Sequence, residues 1–162
     1  MKITLIRHTR VAVETGICYG WSDVGVAPSF ETEASRVKEN ISNERFDIVY
    51  SSPLSRCRKL AAFCGFHEPI LDDRLKELNF GEWEMKKWDD LTDSRLELWY
   101  KDWIHLPAGG GKAMKISAAV SLNFWMNSAI PAIPMPVFSP TGESSPALWS
   151  TQAFARSKNH SV

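Results

Sequence analysis

The sequence predicts an α/β domain in which a mainly parallel sheet is covered by helices. Two observations carry this prediction. Two apolar, strand-like runs, residues 2–7 and 46–50, are each succeeded by a helical pattern. That alternation of strand and helix builds parallel sheets with helices on their faces. Finally, chemically reactive side chains follow both runs directly, and in such folds the carboxyl ends of strands are where ligands bind.

The elements follow in order. Lys2-Ile3-Thr4-Leu5-Ile6-Arg7 reads as a strand and leads into a polar loop that continues through Ser22. Ser29 is placed to cap a helix whose Phe30, Ala34, Val37 and Ile41 share one face. Phe46 to Tyr50 is the second strand. Pro53 opens a second helix, which ends near Gly65 and turns Leu60, Ala61 and Cys64 inward. Further on, residues 91–100 read as helical, and Trp83, Trp88, Trp99 and Trp103 are expected to pack around them as core rather than as a stacking platform for a ligand.

Composition narrows the class. A chain of 162 residues with a formal net charge of zero suits one domain and offers no electrostatic reason to expect nucleic acid or an anionic membrane as partner. Its first apolar run is too short for a signal peptide or a membrane span. Cys18, Cys57 and Cys64 are odd in number, lack metal-ligand spacing, and read as reduced, partly buried thiols of a cytoplasmic protein. No metal or organic cofactor is implied. Gly109-Gly110-Gly111-Lys112 superficially resembles a nucleotide-binding loop, but Leu106 stands where its first glycine is required and Ala113 where a magnesium-binding hydroxyl is required.

The chemistry is concentrated at the strand ends. His8 follows the first strand beside Arg7, so a nucleophilic imidazole stands next to an anion-binding guanidinium. Ser51-Ser52-Pro53-Leu54-Ser55-Arg56-Cys57 brings a second arginine to the end of the second strand. Leu75-Lys76-Glu77-Leu78-Asn79-Phe80-Gly81-Glu82-Trp83-Glu84 adds a carboxylate on a segment that turns at a glycine. Nucleophile, two arginine forks and an acid form a coherent set for phosphoryl transfer. A neutral imidazole would attack a phosphomonoester, Arg7 and Arg56 would offer planar pairs of donors to phosphate oxygens, and Glu77 would protonate the leaving oxygen. For that last role its pKa must be raised by burial or by the substrate's charge. Arg58 and Lys59 read as a solvated helix face, while Thr9 and Arg10 flank the nucleophile and are candidates for contact with phosphate or substrate.

These three blocks, in this order and spacing, resemble the histidine phosphatase superfamily, which includes the cofactor-dependent phosphoglycerate mutases. The resemblance covers roughly the first two-thirds of the chain. It implies a three-layer, phosphoglycerate mutase-like fold, a phosphohistidine intermediate on His8, phosphate binding by Arg7 and Arg56, and an acid role for Glu77. Within the superfamily, Gly16-Ile17-Cys18-Tyr19-Gly20-Trp21-Ser22-Asp23-Val24 is similar to the alpha-ribazole phosphatases, which remove the 5'-phosphate from a cobalamin-loop nucleotide. Tyr19 and Ser22, which lie in that stretch, join Thr9 as candidate substrate contacts. Arg7-His8-Thr9 lacks the glycine that mutases usually carry after their Arg-His pair, which favours a phosphatase with a small phosphomonoester as its partner.

The same resemblance implies a second active-site histidine in a late Thr-His-Gly-Gly-Val sequence, and the chain has none. His67, His105 and His160 lack such neighbours. Of the 19 basic and 19 acidic residues, only Lys112, Lys115, Glu143, Arg156 and Lys158 lie beyond Gly111, whereas five of the nine prolines do. Residues 130–140 read Ile-Pro-Ala-Ile-Pro-Met-Pro-Val-Phe-Ser-Pro, which suits neither a helix interior nor a central strand. The neighbouring reading frame explains the break. Since Trp and Met have single codons, Phe124-Trp125-Met126-Asn127 shifted by one base must contain Leu-Asp-Glu. Ser139-Pro140-Thr141-Gly142-Glu143-Ser144, with permitted codons, becomes Thr-His-Gly-Gly-Val-Ile. The expectation is therefore a family domain over residues 1–111 and, over 112–162, a frameshifted tail of low order, arising from a sequencing error or a real lesion. Such a chain would be impaired.

Overall fold

The computed structural model describes residues 2–113 and 153–157. Their strands form one four-stranded sheet, with β1 (Lys2–Ile6), β2 (Ile48–Ser51), β3 (Ile70–Leu71) and β4 (Ala153–Ser157) in the spatial order β1-β4-β2-β3. The pair β2–β3 is parallel; β4 is antiparallel to β1, pairing Leu5 with Phe154, and antiparallel to β2, pairing Tyr50 with Phe154. β1, β2 and β3 thus run in one direction and β4 runs against them, so the α/β class holds with a mainly parallel strand direction. Residues 114–152 and 158–162 lie outside the described residues, and with them most of the expected tail. Within that tail, 153–157 supplies the strand between β1 and β2.

Three α-helices accompany the described strands. In α1 (Phe30–Asn40), Ala34 is fully buried and Ile41, which closes the helix, is buried as well. Ser29 occupies the cap position, but its hydroxyl donates to the Glu33 carboxylate at 2.6 Å instead of accepting a backbone N–H. In α2 (Ser55–Phe63), Cys57, Leu60 and Ala61 are buried, and Gly65 takes the left-handed conformation (φ +100°) that commonly ends a helix. Pro53 stands two residues before α2, and Cys64 is only partly buried. α3 (Arg95–Lys101) is shorter than the sequence pattern indicates.

A buried core gathers around the segment that follows β3. Cys18, Leu78, Phe80, Trp83, Trp99 and Ala108 are buried together, and Trp88, Leu91, Leu96 and Trp103 pack against them. Trp99 meets Trp83 edge-on at 5.6 Å and stacks on Trp88 at 6.0 Å. Of the four tryptophans expected in the core, Trp83 and Trp99 are buried and Trp88 and Trp103 pack against them. Gly81 and Gly109 allow two turns to touch backbone to backbone: a Cβ on Gly81 would collide with the Gly109 carbonyl oxygen, and one on Gly109 with that of Phe80. Both also adopt positive φ, so the glycine run near 110 has a packing purpose here.

Candidate active site

β1 delivers its site residues at its carboxyl end. His8 is buried, and its Nδ1 lies 2.6 Å from the Thr9 carbonyl oxygen. Since a carbonyl only accepts, Nδ1 carries the proton and the lone pair falls on Nε2. Burial pushes the His8 pKa down to about 4; the bond to Thr9 opposes this, and the charges of Arg56 and Arg7 reinforce it. The imidazole is therefore neutral at pH 7. Arg7 is exposed, with its charge acting on both His8 and Tyr19.

β2 and α2 deliver Arg56. Its side chain is fully buried; Nη2 donates to the Gly20 carbonyl at 2.7 Å and Nη1 to the Ser22 carbonyl at 3.0 Å. Nη2 also lies 3.6 Å from the Glu77 carboxylate, which is itself buried. The guanidinium carbon lies 5.4 Å from the Tyr19 ring centre, and that ring is 6.5 Å from the His8 ring. Thus His8, Arg56, Glu77 and Tyr19 gather from four separate stretches of sequence. The Arg56 Nε and Thr9 Oγ1 atoms are buried without a hydrogen-bond partner among the described residues. Oxygens of a bound anion could satisfy such donors.

The loop between β1 and α1 is held by the segment after Glu77. Cys18 N–H donates to the Lys86 carbonyl at 2.8 Å and Met85 N–H to the Cys18 carbonyl at 2.7 Å. The Trp21 indole N–H donates to the Glu77 carbonyl at 2.8 Å. The Glu84 carboxylate accepts N–H groups from Gly20, Trp21, Ser22 and Phe80. Lys76 and Lys112 place their ammonium groups 5.0 and 5.1 Å from the Trp21 ring centre. Sequence reasoning missed Trp21, Glu84, Lys76 and Lys112 as neighbours of the site. More than 50 residues separate Trp21 from Glu77 and Glu84, and no local pattern announces such pairing.

The remaining candidates fall as follows. Ser22 touches Arg56 through its carbonyl and Glu84 through its amide. Arg10 turns toward α1, its amide donating to Glu33 at 2.9 Å and its guanidinium 3.4 Å from the same carboxylate, with the side chain mostly exposed. Arg58 and Lys59 are exposed on α2. His67 is exposed, His105 is exposed and paired with Asp102, and His160 lies outside the described residues. The cysteines are unbridged; burial lifts Cys57 to about 12 and raises Cys18 and Cys64 as well. No helix among the described residues is long and apolar enough to cross a membrane.

Residues 3–118 match the family model described as histidine phosphatase superfamily (branch 1). The chain belongs to that superfamily. A curated relative from Hydrogenobacter thermophilus, provisionally identified as phosphoserine phosphatase 2, is 27% identical over 110 residues, covering 65% of this chain and 54% of its own length. The chain thus spans about half the length of that superfamily member. Among solved structures, phosphoglycerate mutase from Thermus thermophilus is 26% identical, with TM-score 0.63, over 75% of this chain and 69% of that one. A provisionally identified alpha-ribazole-5'-P phosphatase from Escherichia coli K-12 superposes with TM-score 0.67 at 22% identity, over 77% of this chain and 65% of that one. The fold of this histidine phosphatase superfamily member is phosphoglycerate mutase-like.

Proposed function

We propose that the site is that of a phosphomonoester hydrolase working through a phosphohistidine on His8. The observation that supports this best is the buried, neutral His8, its Nδ1 proton committed to Thr9, beside the buried Arg56–Glu77 pair. The Nε2 lone pair attacks phosphorus in line as the bond to the ester oxygen breaks, and Glu77 gives that oxygen its proton. An arriving phosphate dianion repels the Glu77 carboxylate and so favours the protonated form that this step needs. Water then attacks phosphorus, the P–N bond breaks, and Glu77 takes the proton from the water. Arg56 and Arg7 neutralise the phosphoryl oxygens throughout.

The substrate proposed is alpha-ribazole 5'-phosphate, supported by the similarity of residues 16–24 to the enzymes that dephosphorylate it. A second reading, a sugar phosphate or phosphoglycerate, draws on Lys76 at Trp21. An ammonium group beside the stretch of chain that carries Glu77 suits a leaving group with its own negative charge. We assign the family domain to residues 1–111 and the remainder to a tail translated out of frame; the family match, which runs to residue 118, leaves most of that remainder uncovered, in keeping with this reading. The chain as it stands therefore has little or no turnover, and a chain restored to frame near the Gly111 codon is the enzyme.

Rapid quench of the frame-restored chain with alpha-ribazole 5'-phosphate or with phosphoglycerates, assayed separately, should trap acid-labile phosphate. Phosphate still trapped by the His8→Ala form would remove His8 from this role. The ratio of kcat/KM between the two substrate types decides between the readings.

A further inference from the structure

The Glu84 carboxylate ends at the loop whose carbonyls hold the Arg56 guanidinium. Its Oε1 accepts the Trp21 N–H at 2.8 Å and the Phe80 N–H at 3.1 Å, while Oε2 accepts the Ser22 N–H at 2.8 Å and the Gly20 N–H at 3.1 Å. Three consecutive amides thus converge on one anion, which is how backbone nests hold a charged group. Burial opposes the charge on Glu84. Hydrogen bonds from the Ser22 hydroxyl and from the amides of Trp21, Ser22 and Gly20 outweigh it and hold the carboxyl below its ordinary range.

The far side of the same backbone carries the consequence. A trans peptide unit is planar, with its N–H and C=O pointing in opposite directions. The unit joining Gly20 to Trp21 gives its N–H to Glu84 at 2.8 Å and its C=O to Arg56 Nη2 at 2.7 Å. Fixing one end of this plate aims the other. The Leu78 carbonyl oxygen stands where a Cβ of residue 20 would be, so only glycine lets the loop come this close to the Glu77 segment. Ser22, held by Glu84 through its amide, supplies the second acceptor for Arg56 at 3.0 Å.

We propose that Glu84 is a positioning residue for the phosphate site: by clamping the amides of Gly20, Trp21 and Ser22 it aims the Gly20 and Ser22 carbonyls, and these fix the guanidinium plane of Arg56. The proposal rests on the phosphate-site reading only for its second readout. Glu84→Gln keeps the shape but offers one acceptor oxygen and turns an NH2 group toward N–H donors. Glu84→Ala removes the clamp altogether.

The test uses the full 162-residue chain and the two variants, with Glu82→Gln as a control because Glu82 is exposed and pairs with Arg95. The first readout is the NMR spectrum of the Arg56 guanidinium. Its Nη groups should be rotationally restricted in the parent and in Glu82→Gln, and averaged in both Glu84 variants, while the near-ultraviolet circular dichroism of the tryptophan core is retained. The second is the affinity for inorganic phosphate by calorimetry, which should weaken about tenfold in Glu84→Gln, the scale of one net hydrogen bond. If Glu84→Ala fails to fold, Glu84→Gln decides. A folded Glu84→Gln with an unchanged Arg56 spectrum overturns the proposal, whatever its stability. If neither the parent nor the frame-restored chain binds phosphate but Arg56 is released in the variants, the phosphate reading fails and the positioning role of Glu84 stands.

Discussion

His8 illustrates how one residue carries chemistry and stability together. Its pKa near 4 in the fold, against an ordinary value of 6.5, means that the unfolded chain takes up a proton at His8 before the folded one does. The folded state is therefore fully favoured by this residue above about pH 6.5 and loses that contribution as pH falls toward 4. Between pH 7.5 and 5 the loss amounts to about 2 kcal/mol. Urea unfolding at the two pH values should show this difference for the parent and a correspondingly smaller one for His8→Gln; equal differences would mean that His8 is not held neutral by burial. Glu77 makes a different demand. In the frame-restored chain Glu77→Gln should slow esters with poor leaving groups by about a hundredfold, and aryl phosphates with good leaving groups much less, since these need no proton. Equal losses would make the residue structural. That His8, Arg56 and Glu77 come together in space was legible because each stands in a local motif. Glu84 was visible only as part of a pattern, because its partners at Gly20, Trp21 and Ser22 lie more than 60 residues earlier.

At the scale of elements, periodicity served well wherever one face of a helix is buried. Ala34 and Ile41 in and beside α1, and Leu60 and Ala61 in α2, lie inside as their spacing indicates. It served less well for strands. β2 begins two residues later than its apolar run, and β3 has only Ile70 and Leu71, too short for any alternation to register. The turns at Gly81 and Gly109 are joined through space, so each glycine alone reads as an ordinary breaker. The aromatic cluster is the element-level support for the acid segment, and Trp99, 2% exposed between Trp83 and Trp88, is its centre. Trp99→Ala should cost about 3–5 kcal/mol, read as a lower urea midpoint. Because Phe80 and Trp83 would lose a packing partner, the aromatic circular dichroism should collapse with it. A retained signal and a midpoint shift below 1 kcal/mol, roughly the scale of a surface change, would show that the cluster is not cooperative.

On the scale of the whole molecule, the α/β class was legible from the alternation of runs alone, whereas the sheet order was not. The strand between β1 and β2 comes from residues 153–157, and nothing local in Ala-Phe-Ala-Arg-Ser names its neighbours. The frame proposal belongs at this scale too. Restoring the frame near Gly111 should raise phosphatase turnover from near background to a readily measured rate, whereas substantial turnover by the purified 162-residue chain would refute it. The place of β4 has a further consequence, one of timing. β1 and β2, whose ends carry His8 and Arg56, do not pair with each other; each pairs with β4. On the ribosome the two halves of the site can form their own helices and turns early, but the sheet that sets them side by side cannot close until codon 157 has been read. Such late, long-range pairing is slow, and until it happens two strand edges stand open to other chains. In the chain as it stands, the side-by-side placing of β1 and β2 thus waits for the described strand that is translated last.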